Sequence, residues 1–160
     1  MRQINPNART LKTGRVLAID PGSLKFGWAY YEAGVLIKSG QFHVKNRWPH
    51  HRLKMMVPLL NGLPPCDILI TEKISKWNKA TVPKSYLALL KSIGVIVGNT
   101  TWKYCIELSP NVWQAVISEH WQKSNDENDA IALGEAAIKL AGMNDNSNPE
   151  ESSEVQAIDS

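Results

Sequence analysis

Four carboxylates stand out by where they sit. Asp20 closes the apolar run V-L-A-I-D and is followed at once by the turn formers Pro21 and Gly22; Glu72 closes C-D-I-L-I-T-E. A carboxylate at the end of a buried strand costs free energy unless it is paired or holds a cation. Asp126 and Asp129 lie three residues apart in S-N-D-E-N-D-A-I-A-L-G-E-A-A, a spacing that puts both on one face of a helix. Ser124 and Glu127 fit a capping box, S-x-x-E, at its start. Taken alone, such an acidic pair is what any helix start favours, because the helix dipole is positive there. Taken with Asp20 and Glu72, it makes four carboxylates on one wet rim, which repel one another unless a divalent cation intervenes. An all-oxygen donor set without His or Cys suits Mg²⁺, with Mn²⁺ as a substitute, rather than zinc. Two such ions about 4 Å apart activate a water and stabilise the leaving oxygen in phosphoryl transfer.

The elements that must position these acids follow from the apolar periodicity. Residues 15–20, 26–32 and 35–44 read as three consecutive antiparallel strands, the first two joined across a glycine-bearing turn. Residues 49–60 have helical spacing, with Pro58 expected to kink or end the helix, and the Asn61, Gly62, Pro64, Pro65 cluster then turns the chain. Residues 66–72 form a near-continuous apolar run, the pattern of a central strand buried on both faces. Pro83, as a first-turn proline, opens a helix to about residue 99; residues 104–108 make a fifth strand, and helices over 110–121 and 126–140 complete the chain. That order predicts an α/β domain, a mixed five-stranded sheet flanked by helices.

Composition bounds the rest. The 160 residues suit one domain, residues 15–140, after an N-terminal extension of residues 1–14. Residues 141–160 carry five acids and no Lys or Arg, the make-up of a disordered acidic tail. The remaining 140 residues hold 18 bases against ten acids, a charge that attracts polyanions, although a solvated basic surface alone would look the same. No apolar run approaches the roughly 20 residues needed to span a bilayer, and the basic N-terminus lacks the apolar stretch of a signal peptide, so a cytoplasmic protein is expected. Cys66 and Cys105 sit in apolar runs and read as core packing. His43, His50, His51 and His120 have no ligand spacing.

The run V-L-A-I-D-P-G-S-L-K-F-G-W-A resembles the first motif of the RuvC family of Holliday-junction resolvases, in which I-D-P-G-S ends the first strand of an RNase H-like fold. D-I-L-I-T-E-K-I is similar to the strand that carries the family's glutamate, and D-E-N-D-A-I-A-L-G-E-A-A to its closing helix. The motifs occur in family order from about residue 15 to residue 140. Matched residue by residue, the resemblance implies an RNase H-like fold and catalytic metal-binding roles for Asp20, Glu72, Asp126 and Asp129. It also implies two ions per site and a homodimer that nicks opposed strands of a four-way junction, leaving 5′-phosphates. Compact members of this kind are common in bacteriophages, so a phage-infected bacterial cytoplasm is the expected setting. Two departures stand out: Ser75 replaces the family's bulky aromatic wedge three residues after the glutamate, and the long basic segment before the final acidic pair is missing.

DNA contact is expected from Lys73, Lys76, Lys79 and Lys84, around the loop after Glu72, and from Lys25 in the turn after Asp20. Trp77 is the candidate wedge, since indole stacks on unpaired bases, with core packing or an idle surface position as the alternatives. Three other functions compete with junction resolution. A flap or fork debranching nuclease would use the same acids. A catalytically inactive binding module would have lost at least one of them, and all four are present. A sugar-kinase or actin-like ATPase half shares the strand-end acid but needs a second such domain to enclose its nucleotide.

Overall fold

The structure, a computed structural model, describes residues 8–74, 83–117 and 125–145. Five strands, β1 (Arg15–Asp20), β2 (Lys25–Glu32), β3 (Val35–His43), β4 (Ile68–Glu72) and β5 (Tyr104–Leu108), form one sheet in the order β3-β2-β1-β4-β5. β1, β2 and β3 pair antiparallel, as expected for a meander, whereas β4 joins β1 and β5 joins β4 in parallel. The parallel joins need crossovers, which α2 (Pro49–Asn61) and α3 (Lys84–Asn99) supply. The sheet is therefore mixed, with β1 and β4 central and running the same way.

Strand alternation sends successive side chains to opposite faces. Val16, Ala18, Ile68 and Ile70 meet α4 (Pro110–Ile117) and α5 (Asp126–Asp145) through Trp113, Ile117, Ala130 and Leu133. Leu17, Ile19 and Leu69 meet α2 and α3 through Met56, Leu60 and Ile96. Continuing the first alternation by two residues puts both Asp20 and Glu72 on the α5 face. The buried residues of α5 are mostly small, Ala130, Ala132, Ala136, Ala137 and Ala141, which lets the helix lie close against the strands. Tyr31 on β2 fixes its height by donating from its hydroxyl to the Ile131 carbonyl at 2.7 Å. At the opposite end of the sheet, Asp67 accepts from the Arg15 main-chain N–H at 3.0 Å and from its guanidinium at 3.2 Å, and pairs with Lys103 at 2.9 Å. These contacts hold the Asp67 carboxyl well below the usual carboxylate range, Arg15 being the main cause.

Several expectations shift in detail. α2 runs through Pro58 to Asn61, because a proline near the C-terminal end forfeits one hydrogen bond while the Pro58 carbonyl still accepts from Gly62 at 3.3 Å. Pro83 is the residue before α3 rather than its first helical one, in extended backbone at φ −62° and ψ 145°. β4 starts at Ile68, two residues after the apolar run begins. α5 extends five residues past the expected end, while residues 118–121 of the helix expected over 110–121 lie outside the described residues. The N-terminal extension contains α1 (Ala8–Thr13), whose Leu11 joins the core beneath α5. No helix among the described residues is long and apolar enough to cross a membrane.

Candidate active site

β1 and β4 lie side by side in parallel, with Ile19 opposite Thr71, so their C-terminal residues Asp20 and Glu72 emerge as neighbours at one edge. α5 begins over that edge. On α5 the core-facing stripe runs through Leu133 and Ala130, and at helical spacing its N-terminal continuation is Asp129 and Asp126. The two aspartates thus belong to the sheet-facing side of the helix, which ordinary helix-start acids on a solvated face do not.

The fields of the four acids are coupled. Burial, followed by the carboxylates of Glu72, Asp129 and Asp126, pushes Asp20 up to about 8 from an ordinary 3.8, and Asp20 shares a hydrogen bond with Glu72. Glu72 is also raised, chiefly by burial and with help from Asp129, while the bond from Asp20 works the other way. Lys25 Nζ lies 2.9 Å from Asp126 Oδ2, an ion pair rather than a well-aligned hydrogen bond. Asp126 chiefly, then Asp129 and Asp20, raise the pKa of Lys25, so one ammonium sits in the field of three acids. Among the described residues no three His, Cys, Asp or Glu side chains close into a finished cation cage. Instead, the Lys25 ammonium offsets part of the repulsion.

The start of α5 is placed by three features. Asn125 caps it, its Oδ1 accepting from the Asn128 N–H at 2.7 Å. Glu127 accepts from the Ser39 hydroxyl of β3 at 2.6 Å, so this side chain ties the helix to the sheet. Ser124, the other half of the expected capping box, lies outside the described residues. The third feature is Gly27, paired with Asp20 across β1 and β2, where a Cβ would overlap the main chain of Asp126. A side chain at residue 27 would hold the acids of α5 off the strand ends.

Of the basic candidates, Lys25 is in the site. Lys73 is exposed just beyond Glu72, with its main-chain N–H bonded to the Leu108 carbonyl at 2.8 Å. Lys84 is exposed at the start of α3, on the sheet's other face. Lys76, Trp77 and Lys79 fall outside the described residues, as do Ser75 and His120. Sequence reasoning missed Gly27, Ser39 and Asn125. The first carried a signal, since glycine inside an apolar strand marks close backbone approach; the others did not.

No protein-family profile and no curated protein sequence matches the chain. Among solved structures it is similar to Thermus thermophilus RuvC in complex with a Holliday junction substrate, at 10% identity and TM-score 0.60, over 83% of this chain and 96% of that one. A second structure of Thermus thermophilus RuvC gives 11% identity and TM-score 0.57, over 82% and 96%. The yeast mitochondrial Holliday junction resolvase Ydc2 gives 14% and 0.56, over 87% and 86%. The fold is therefore the RuvC-like, RNase H-type α/β fold.

Proposed function

Starting from a RuvC-like fold whose strand ends and last helix gather four carboxylates, we propose that the protein is a metal-dependent, structure-selective DNA endonuclease. Its substrate would be the four-way (Holliday) junction, resolved by paired nicks. The observation that carries this reading is the convergence of Asp20, Glu72, Asp126 and Asp129 on one edge, two of them on the core-facing stripe of α5. The junction complex of a structural neighbour supports the choice of branched DNA as partner.

The donor set fits a hard divalent cation, being all oxygen and mutually repulsive. We assign Mg²⁺, two ions per site and replaceable by Mn²⁺, to these four residues. When bound, such ions activate water and neutralise charge on the phosphoryl oxygens, giving 5′-phosphate products. Asp20 and Glu72 supply ligands from rigid strand ends, and Asp126 and Asp129 supply theirs from a helix fixed by Asn125, Ser39 and Gly27. Lys25 holds Asp126 in the metal-free protein and becomes available to a phosphate once released. Lys73 and Lys84, together with Lys76, Lys79 and Trp77, are assigned to the DNA.

Lys25→Ala removes a cation that competes for Asp126. Its expected effect is roughly 2- to 5-fold tighter Mn²⁺ binding, the scale of a partly exposed ion pair, read by calorimetric titration. Unchanged affinity would show that Lys25 does not guard the site.

Paired nicks need two sites, and we assign the second to another copy docked along α3. Leu87 and Leu90 are 44% and 43% exposed there, and Gly94 and Gly98 continue the same helix face with open space around them. Glycines at this spacing let two helices approach closely.

Cleavage of an immobile four-way junction, beside a flap and a linear duplex, tests the whole reading. Symmetric nicks confined to the junction, with Mg²⁺ or Mn²⁺ but not Ca²⁺ or EDTA, and a dimer on sedimentation, are the expected results. Equal cutting of the flap would make it a general debranching nuclease. Tight binding without cutting in any metal would reduce it to a binding module.

A further inference from the structure

We propose that Trp48 and the basic residues around it form a stacking platform for an unpaired stretch of DNA, on the sheet face opposite the four acids. This rests on the nuclease reading and adds to it a contact region distinct from the loop after Glu72.

A single exposed indole needs no explanation, since apolar side chains are common on surfaces. Trp48 is 55% exposed, and three observations set it apart. First, it is held in place. Its main-chain N–H donates to Asn46 Oδ1 at 2.9 Å, its carbonyl accepts from the Arg52 N–H at 3.1 Å, and the Arg52 guanidinium donates to the Asn46 carbonyl at 3.0 Å. These bonds hold the main chain at residue 48, so the exposed indole projects from a fixed point of attachment at the start of α2. Secondly, its neighbours are flat and basic. The Arg47 guanidinium lies 5.4 Å from the indole centroid, and the ring of His50 lies 6.4 Å from Trp48 and 4.6 Å from that of His51. Residues 45–54 carry four Lys or Arg and no acid. That combination of π-faces and fixed positive charge suits unstacked bases with their phosphates.

Thirdly, the position is right. Trp48 precedes α2, which starts at the same end of the sheet as Asp20, because β3 ends opposite the beginning of β2. The Val44 N–H donates to the Leu24 carbonyl at 2.7 Å, tying this loop to the turn that follows Asp20. Between α2 and α3 lies a cleft of about 230 Å³, mainly apolar inside through Leu53, Leu87 and Ala88, with Arg52, Lys84 and Lys91 and Ser23 of that same turn also in its lining. Trp48, the cleft between α2 and α3 and the turn that follows Asp20 therefore lie at the same end of the sheet.

The test uses fluorescence anisotropy in EDTA, where binding is separate from cutting, with labelled oligothymidine, a linear duplex, and a junction carrying 2-aminopurine beside the branch point. Trp48→Ala is expected to weaken oligothymidine binding roughly 5- to 100-fold and to abolish the 2-aminopurine response, with duplex binding unchanged and Trp48→Phe restoring most of both. Wild-type protein that binds and cuts junctions, with both variants matching it on oligothymidine and 2-aminopurine, would overturn the platform and leave the nuclease reading intact. Loss with Ala that Phe does not restore, accompanied by a lower Tm, would show a structural tryptophan and also overturn it. Wild-type protein that binds none of the three DNAs would overturn the nuclease reading itself.

Discussion

Asp20→Asn is expected to slow junction cleavage by roughly 10³-fold or more, about 4 kcal/mol of barrier, while making the metal-free protein more stable. The two effects have opposite signs for one reason. In the folded, metal-free protein, burial and the three neighbouring acids hold the Asp20 carboxyl up to about 8; in the unfolded chain it titrates near 3.8. Between those values the native state keeps a proton that the unfolded state has lost, so the unfolded state binds fewer protons and stability falls as pH rises. Wild-type Tm in EDTA should therefore decline from about pH 5 to about pH 8, and Asn, which carries no charge to bury, should flatten that decline. At pH 8 the variant is expected to be more stable by on the order of 2–5 kcal/mol. Mg²⁺ should raise the wild-type Tm, since a cation favours the ionised acids, and raise that of Asp20→Asn much less. Calorimetric scans at the two pH values with and without Mg²⁺ check all of this. A variant that is inactive and less stable would mark Asp20 as a structural acid, and one that still cuts would remove it from the metal site.

The site was legible wherever side-chain type and chain position spoke together. Asp20 and Glu72 could be found because an acid closing an apolar run is a local anomaly, and β1 and β4 prove to be parallel neighbours. The meander likewise followed from turn residues and alternation. The helix acids were ambiguous from sequence, because capping and catalysis ask for the same residues at a helix start. Packing adds what the sequence lacked, by placing Asp126 and Asp129 in line with Ala130 and Leu133 on the side of α5 that faces the sheet. What did not show at all were partners set by tertiary approach: Ser39 meets Glu127 across 88 residues, and Lys25 pairs with Asp126. The aromatic and basic run at residues 45–54 was visible as composition. Its relation to the end of the sheet where Asp20 and Glu72 emerge comes only from strand order and the tie between Val44 and Leu24.

Gly27→Ala should slow cleavage by about 10²-fold, less than loss of an acid but far more than an ordinary packing change, although residue 27 has no side chain to contribute. A Cβ there would overlap the Asp126 carbonyl and crowd the Glu127 nitrogen, and both are main-chain atoms, so no rotamer change relieves the clash. The start of α5 must move away from β2, carrying Asp126 and Asp129 off the edge where Asp20 and Glu72 remain. Overpacking of this kind costs about 1–3 kcal/mol of stability, and a displacement near 1 Å at a reacting centre is worth about 10²-fold in rate. Mn²⁺ affinity should fall with the rate, because two of four ligands have shifted. The decline of metal-free Tm with pH should soften, because Asp20 loses the fields of Asp126 and Asp129. Binding of junction DNA in EDTA should change little, since of the bases assigned to it only Lys25 lies beside residue 27, while Lys73 and Lys84 lie elsewhere. Measured side by side, these quantities separate a spacing effect from general unfolding, which would weaken binding and catalysis together. Wild-type rate and metal affinity in Gly27→Ala would show instead that the acids reach their working geometry without close contact between α5 and β2. Gly27 would then be a packing residue only.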